Sequence, residues 1–244
     1  MNKQEILNKI SNDIFTRQHI LYAAKTVDSS FKETQLRYLM GMLQNSNLII
    51  RVGYNQYKKA LKTPKKPVYL GVYSKTALTV IKFMENNFPL LEYRVWELSW
   101  LNEFFNHLIA SNKIFLEVER EGCDFVFSLL IDKYPGKVLL SPKAQEILQY
   151  GSDDGIIINR LVTEAPKSED KRYQVPLEKL IVDLLANKTL TISKGEYPMA
   201  IEEMFAKYQI DQIPLFRYAR RRNKRKELFV FLQQKTNIEL LVEG

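Results

Sequence analysis

The chain has 244 residues, 45% apolar and 26% charged, the balance of an ordinary globular protein rather than of a disordered one. Its one cysteine, Cys123, excludes an intrachain disulfide and any multi-cysteine metal site. The formal net charge of +8 points to an anionic partner.

The opening MNKQEILNKISNDIF is amphipathic and lacks the continuous apolar core of a signal peptide. No apolar run approaches the roughly 18 residues of a membrane span, so the expected location is cytoplasmic with no membrane partner. The charge is unevenly placed. Residues 1–66 hold 12 Lys/Arg against 4 Asp/Glu, residues 67–216 hold 16 against 21, and Arg217–Lys226 holds 7 against none. Two basic blocks therefore flank a mildly acidic middle.

In chain order, Ile6, Leu7, Ile10 and Ile14 predict a helix from Asn2 to about Phe15. Thr16 can cap a second helix through Ile20 and Ala24. Ser30 and Glu33 have the spacing of a capping box that opens a third. That third helix carries Leu36, Leu39, Met40 and Leu43 at i, i+3, i+4, i+7, with Thr34, Arg37, Tyr38 and Gly41 opposite and Gln35 on its flank. Asn45-Ser46-Asn47 ends it. Leu48–Val52 reads as a strand, Gly53-Tyr54-Asn55 as a turn, and Gln56–Lys59 as the returning strand.

Helix, helix, turn, capped helix and hairpin is the order of a winged helix-turn-helix, whose last helix enters a major groove. There Gln35 would read adenine, Arg37 guanine, and Thr34 or Tyr38 a thymine methyl or a phosphate. Arg51, Lys58 and Lys59 on the wing would meet phosphates. The segment Leu61–Pro67, with two prolines and three lysines, reads as a linker.

Beyond it the chain alternates. Ser74 can cap a helix through Ala77, Leu78, Ile81 and Met84. A strand at Leu91–Glu97, a helix at Ser99–Ala110 and a strand at Lys113–Glu119 follow. Next come a helix at Cys123–Lys133, a short strand at Lys137–Leu140, a helix opened by Ser141-Pro142, and the apolar strand Gly155–Val162. Helices are predicted at Pro176–Ala186, Glu196–Tyr208 and Ile213 to about Gln234. The predicted fold class is mixed α/β in two domains. A winged helix-turn-helix spans 1–62, and an α/β domain with a mixed sheet and a helical C-terminal part spans 68–244.

No phosphate loop, Gly-x-Ser-x-Gly or His-Glu-x-x-His pattern is present. Glu117-x-Glu119 with Asp124, Glu178, Lys179 and Asp183 is the set that a metal-dependent nuclease reading would use. No lysine follows Glu119 at the usual spacing, and Glu178 and Lys179 diverge as helix neighbours. Cys123 lies on the apolar face of Val126, Phe127 and Leu130, the setting of a core residue. Trp96 and Trp100 read as core anchors, and His19 as an ordinary helix residue. No enzyme activity, catalytic residue, metal or cofactor is expected. In the last helix Arg217, Arg220, Arg221 and Lys224 fall at i, i+3, i+4, i+7, a cationic stripe opposite Leu215 and Ala219.

Five strings in this order give the chain a wider likeness: FKETQLRYLMGMLQNSNLIIRVGYNQYKK, RVWELSWLNEFFNH, FLEVEREGCDFVF, PLEKLIVDLL and YQIDQIPLFRYARRRNKR. Over nearly its full length it resembles the AbiEi-type antitoxins and transcriptional regulators of bacterial toxin–antitoxin and phage abortive-infection operons. That resemblance implies a winged helix that binds double-stranded operator DNA at inverted repeats, as a homodimer, and represses its own operon. It also implies a C-terminal domain that counteracts a nucleotidyltransferase toxin. Carried over, DNA contact falls on Lys32, Thr34, Gln35, Arg37 and Tyr38, and on the wing at Arg51, Tyr54, Asn55, Lys58 and Lys59. The antitoxin surface falls on Arg217, Arg220, Arg221, Arg222 and Lys224. The alternative is a protein-interaction module that docks its partner through the arginine-rich helix and binds little or no DNA.

Overall fold

In a computed structural model, residues 3–46, 48–60, 66–168, 171–187, 190 and 194–241 are described. Most of the predicted linker, residues 61–65, and Asn47 lie outside that set. The fold is mixed α/β with two sheets, and the chain separates into two compact units, dividing after Lys65.

The first unit begins with α1 (Lys3–Asn8) and β1 (Ile14–Phe15). The predicted single helix to Phe15 is therefore corrected. Ser11-Asn12-Asp13 offers polar side chains that compete with helical backbone bonds, and Phe15 is buried from an extended conformation instead. Next come α2 (Arg17–Val27), a 3-10 turn at Glu33–Gln35, and α3 (Leu36–Asn45). The hairpin β2 (Ile49–Gly53) and β3 (Gln56–Lys59) closes the unit. β1 pairs antiparallel with β3, giving a three-stranded sheet in the order β1-β3-β2. Ile6, Leu7, Phe15, Ile20, Leu39, Leu43 and Ile49 meet in one core.

The expected capping box at Ser30 does not form. The Asp28 carboxylate accepts both the Ser30 N–H, at 2.9 Å, and the Ser30 hydroxyl, at 2.6 Å. The cap is made two residues later, where Lys32 N–H donates to Gln35 Oε1 at 2.9 Å. At α2 the reciprocal partner is His19, whose Nδ1 accepts from Thr16 N–H at 3.0 Å.

The second unit opens with α4 (Lys75–Asn87), capped by Ser74 Oγ accepting from Ala77 N–H at 3.1 Å. Its strands are β4 (Tyr93–Glu97), β5 (Lys113–Val118), β6 (Val138–Leu140) and β7 (Gly155–Arg160). They lie in the order β4-β5-β7-β6, with β4 antiparallel to β5 and the remaining pairs parallel. Both faces are covered, so every residue of β4 and β5 is buried, the charged Arg94, Glu97, Lys113 and Glu117 included. One face packs on α4 and on α5 (Cys123–Lys133) through Val80, Met84, Val126 and Leu130. Glu117 on the other face meets α7 (Leu177–Ala186). The outer edge of β4 bonds back to the chain, Val95 N–H donating to Tyr173 O at 2.8 Å.

Two predicted helices shrink. Leu98–Glu103 is a 3-10 helix that stops before Phe104. There the Asn102 carboxamide oxygen takes the Ile109 N–H at 2.7 Å, and Glu196 accepts from the amides of Asn106 and His107. Ser141 takes a left-handed φ of 46° and Pro142 is buried, so α6 (Ala144–Tyr150) starts later than predicted, behind Lys143. The predicted last helix is two. α9 (Gln212–Arg221) and α10 (Arg225–Lys235) follow α8 (Tyr197–Lys207), with Asn223 between them at φ 55°. Asn223 N–H bonds Arg220 O and Lys224 N–H bonds Ala219 O at 2.7 Å, the paired closure of a Schellman stop.

Candidate nucleic-acid interface

α3 buries Leu36, Leu39, Met40 and Leu43 and turns Arg37 and Tyr38 outward. Tyr38 is 73% exposed. Lys32, Thr34 and Gln35 are exposed on the segment that leads into it. A Cβ added at Gly41 would meet nothing within 4 Å, so this face is open along the helix. Gln35 differs from expectation. Its carboxamide oxygen is spent on Lys32 N–H, so bidentate reading of an adenine, which needs both the oxygen and the NH2, would break the cap.

The β2–β3 hairpin is similarly divided. Tyr54 stands at its tip, 93% exposed. Asn55 adopts φ 54°, and its Oδ1 accepts from Arg17 N–H at 3.3 Å, closing the first turn of α2. Arg51 is exposed, and its Nε donates to Gly53 O at 3.0 Å. Lys58 is half-buried on β3. Lys59, expected at a phosphate, is half-buried, and its ammonium donates to Ile10 O at 2.5 Å inside the unit. Arg17, exposed beside Asn55, is a cation that periodicity alone did not single out.

In the second unit the predicted arginine stripe is broken. Leu215 and Ala219 are buried as expected, and Arg217, Arg220 and Arg221 are exposed on α9. Lys224 lies past the break and pairs with Glu227. Arg221 Nε donates to Thr163 Oγ1 at 2.7 Å and lies 3.7 Å from Glu164, while Arg222 turns inward to 3.7 Å from Asp183.

The carboxylates behind the nuclease reading do not gather as a set. Glu119 lies past the end of β5 and accepts from Glu92 N–H at 3.3 Å. The Glu178 carboxylate accepts from Asp211 N–H at 2.7 Å, and burial raises its pKa. Lys179, however, sits between Glu117 and Asp183 at 2.5 Å from each, fully buried. Trp96 Nε1 donates to the same Glu117 oxygen at 3.0 Å, and the Tyr218 hydroxyl donates to Asp183 at 3.1 Å. This network ties β4, β5, α7 and α9 together and is sealed from solvent. The i, i+4 spacing of Lys179 and Asp183 was its one sequence signal; Glu117 lies 62 positions away.

Cys123 is buried, its thiol directed at Val118 O (3.5 Å), and burial raises its pKa. Among the described residues no three His, Cys, Asp or Glu side chains gather as a metal site, and no helix is long and apolar enough to cross a membrane.

Residues 35–238 match the model of DUF6577, a family of unknown function. The match takes in α3 and the hairpin together with almost all of the second unit. No curated protein matches the chain.

Proposed function

The chain belongs to DUF6577, and we propose that it is a DNA-binding transcriptional regulator whose first unit is a winged helix-turn-helix. The observation that carries this reading is α3. It is a short helix with one face fully buried, and its outward face presents Arg37 and Tyr38. The order helix, strand, helix, helix, hairpin, with β1 added beside β3, supports the same reading, since that arrangement sets α3 for the major groove and the hairpin for the flanking backbone. Arg37 is then the base-reading residue, with Thr34 and Tyr38 beside it. Arg17, Arg51 and Tyr54 form the backbone-facing set.

Repression of its own operon by two copies on an inverted repeat, and antagonism of a nucleotidyltransferase toxin by the second unit, rest on the resemblance in sequence to AbiEi-type regulators. The test is an anisotropy titration of the full chain against DNA from upstream of its own gene, with random duplex as competitor, at several salt concentrations. The expected result is preference for the upstream DNA, with log affinity falling against log salt at about −0.9 per phosphate neutralised. Equal affinity for both duplexes would overturn the regulator reading.

A further inference from the structure

Beyond the carboxyl ends of β5 and β7 the second unit holds a cleft of about 580 Å³. The position is physically favoured, since open α/β sheets bind ligands past the carboxyl ends of their parallel strands. The volume is that of a small-molecule pocket.

Five cations line the cleft: Arg94, Arg120, Arg160, Lys167 and Arg217. They come from β4, from the turn after β5, from the end of β7 and its following loop, and from α9. Arg94 is the unusual member. It is only 2% exposed, its terminal nitrogens are held by Glu92 (2.9 Å) and Tyr93 O (2.8 Å), and its Nε has no hydrogen-bond partner. A buried N–H on a charged group without an acceptor is costly unless a ligand or water completes it. The other four are exposed, and none lies within ion-pair distance of a carboxylate among the described residues.

Carboxylates on the cleft wall offset part of this charge. Glu92 is paired with Arg94 and Glu164 faces Arg221, which leaves Glu119 and Glu121 against the four exposed cations, an excess of positive charge. The cationic side chains are accompanied by an apolar wall of Leu161, Val162, Pro166 and Pro214. Polyphosphate beside a flat apolar group is the chemistry that such a lining recognises, because guanidinium forks match phosphate oxygens in pairs.

We propose that this cleft binds a nucleoside polyphosphate, its phosphates held by Arg120, Arg160, Lys167 and Arg217 and its base laid on the apolar wall. The site shares no residue with the proposed DNA-binding face and stands whether or not that reading holds.

The test is calorimetric titration of the full chain with two probes, inorganic tripolyphosphate and a nucleoside triphosphate. Wild type and the Arg160→Gln and Arg217→Gln variants are compared, with unliganded melting temperature as the folding control. Both substitutions are at exposed positions, so the variants are expected to melt like wild type. The expected result is saturable nucleoside triphosphate binding, weakened about tenfold by each substitution, as the loss of one charge-assisted hydrogen bond implies. Tighter binding of the nucleoside triphosphate than of tripolyphosphate, which carries the same number of phosphates, assigns the apolar wall to the base. Absence of binding for both probes, affinity unchanged in the two variants, or equal affinity for tripolyphosphate would overturn the proposal. So would variants that lose random-duplex binding in step with triphosphate binding, since the arginines would then belong to a nucleic-acid surface.

Discussion

At Lys179 three charges are placed where water cannot reach them. Removing two carboxylates and an ammonium from solvent is offset here by close pairing, by the Trp96 and Tyr218 donors, and by Arg222 at 3.7 Å from Asp183. Lys179→Met leaves Glu117 without its cation and Asp183 with only the more distant Arg222. It is expected to destabilise the second unit by about 3–5 kcal/mol, read from urea unfolding; a change below about 1 kcal/mol would show the trio to be dispensable. Gly71 is a steric counterpart, where a Cβ would meet the Trp100 ring at 2.4 Å. Trp100 is held by its Nε1 donating to Val72 O at 2.9 Å, so Gly71→Ala is expected to lower stability by about 1–3 kcal/mol through overpacking. The same denaturation curve checks it. On α3, under the proposed function, Arg37→Ala should relax specificity at one base position and weaken operator binding by about 1–3 kcal/mol. An even loss over all sequences would make Arg37 a phosphate ligand instead.

Elements start and stop where local chemistry and tertiary demand agree, and the break between α9 and α10 is the clearest case. A continuous helix from Ile213 satisfies the periodicity, yet Asn223 takes the left-handed conformation and closes the helix with two backbone bonds. Asn223→Gly should therefore be near neutral. Asn223→Val should cost about 1–2 kcal/mol, because a β-branched residue resists that φ. Equal melting temperatures for the two variants would contradict this account. The stop also disperses the arginine stripe, since Lys224 leaves the face that Arg217 and Arg220 share. The turn between β2 and β3 works by the same rule: Asn55 supplies the left-handed residue and the acceptor for Arg17 N–H, a structural duty where sequence reasoning placed a DNA contact.

For the molecule as a whole, titration on the alkaline side is set by groups distributed through the second unit. Burial pushes Tyr93 up to about 12. The hydrogen bond to Glu103, together with burial, takes Tyr208 to about 12 as well. Burial holds Tyr69, Tyr73 and Tyr218 higher still. For Lys179 burial acts downward, but Asp183 and Glu117 outweigh it and the net shift is upward. Each of these groups keeps its proton in the folded state at a pH where the unfolded chain releases it, so folding stability falls as pH rises past the ordinary values of 10.0 for tyrosine and 10.5 for lysine. Chemical denaturation at pH 8 and about pH 11 is expected to show a marked loss at the higher value; a flat profile would refute the assignment.

Much of this architecture was already written in the chain. Leu36, Leu39, Met40 and Leu43 define the buried face of α3, Ser74 caps α4, and strands alternating with helices, the apolar β7 among them, announce a sheet covered by helices, because periodicity and capping are local properties of a few neighbouring residues. Ser11-Asn12-Asp13 disfavours a helix through to Phe15, but only the tertiary structure made Ile14–Phe15 a strand, since its partner is β3, more than forty positions away. It alone brought Lys179 to Glu117, and gathered Arg94, Arg120, Arg160, Lys167 and Arg217 around one cleft. Pairing and charge clustering depend on which distant segments the sheet order makes neighbours, and no local pattern along the chain carries that information.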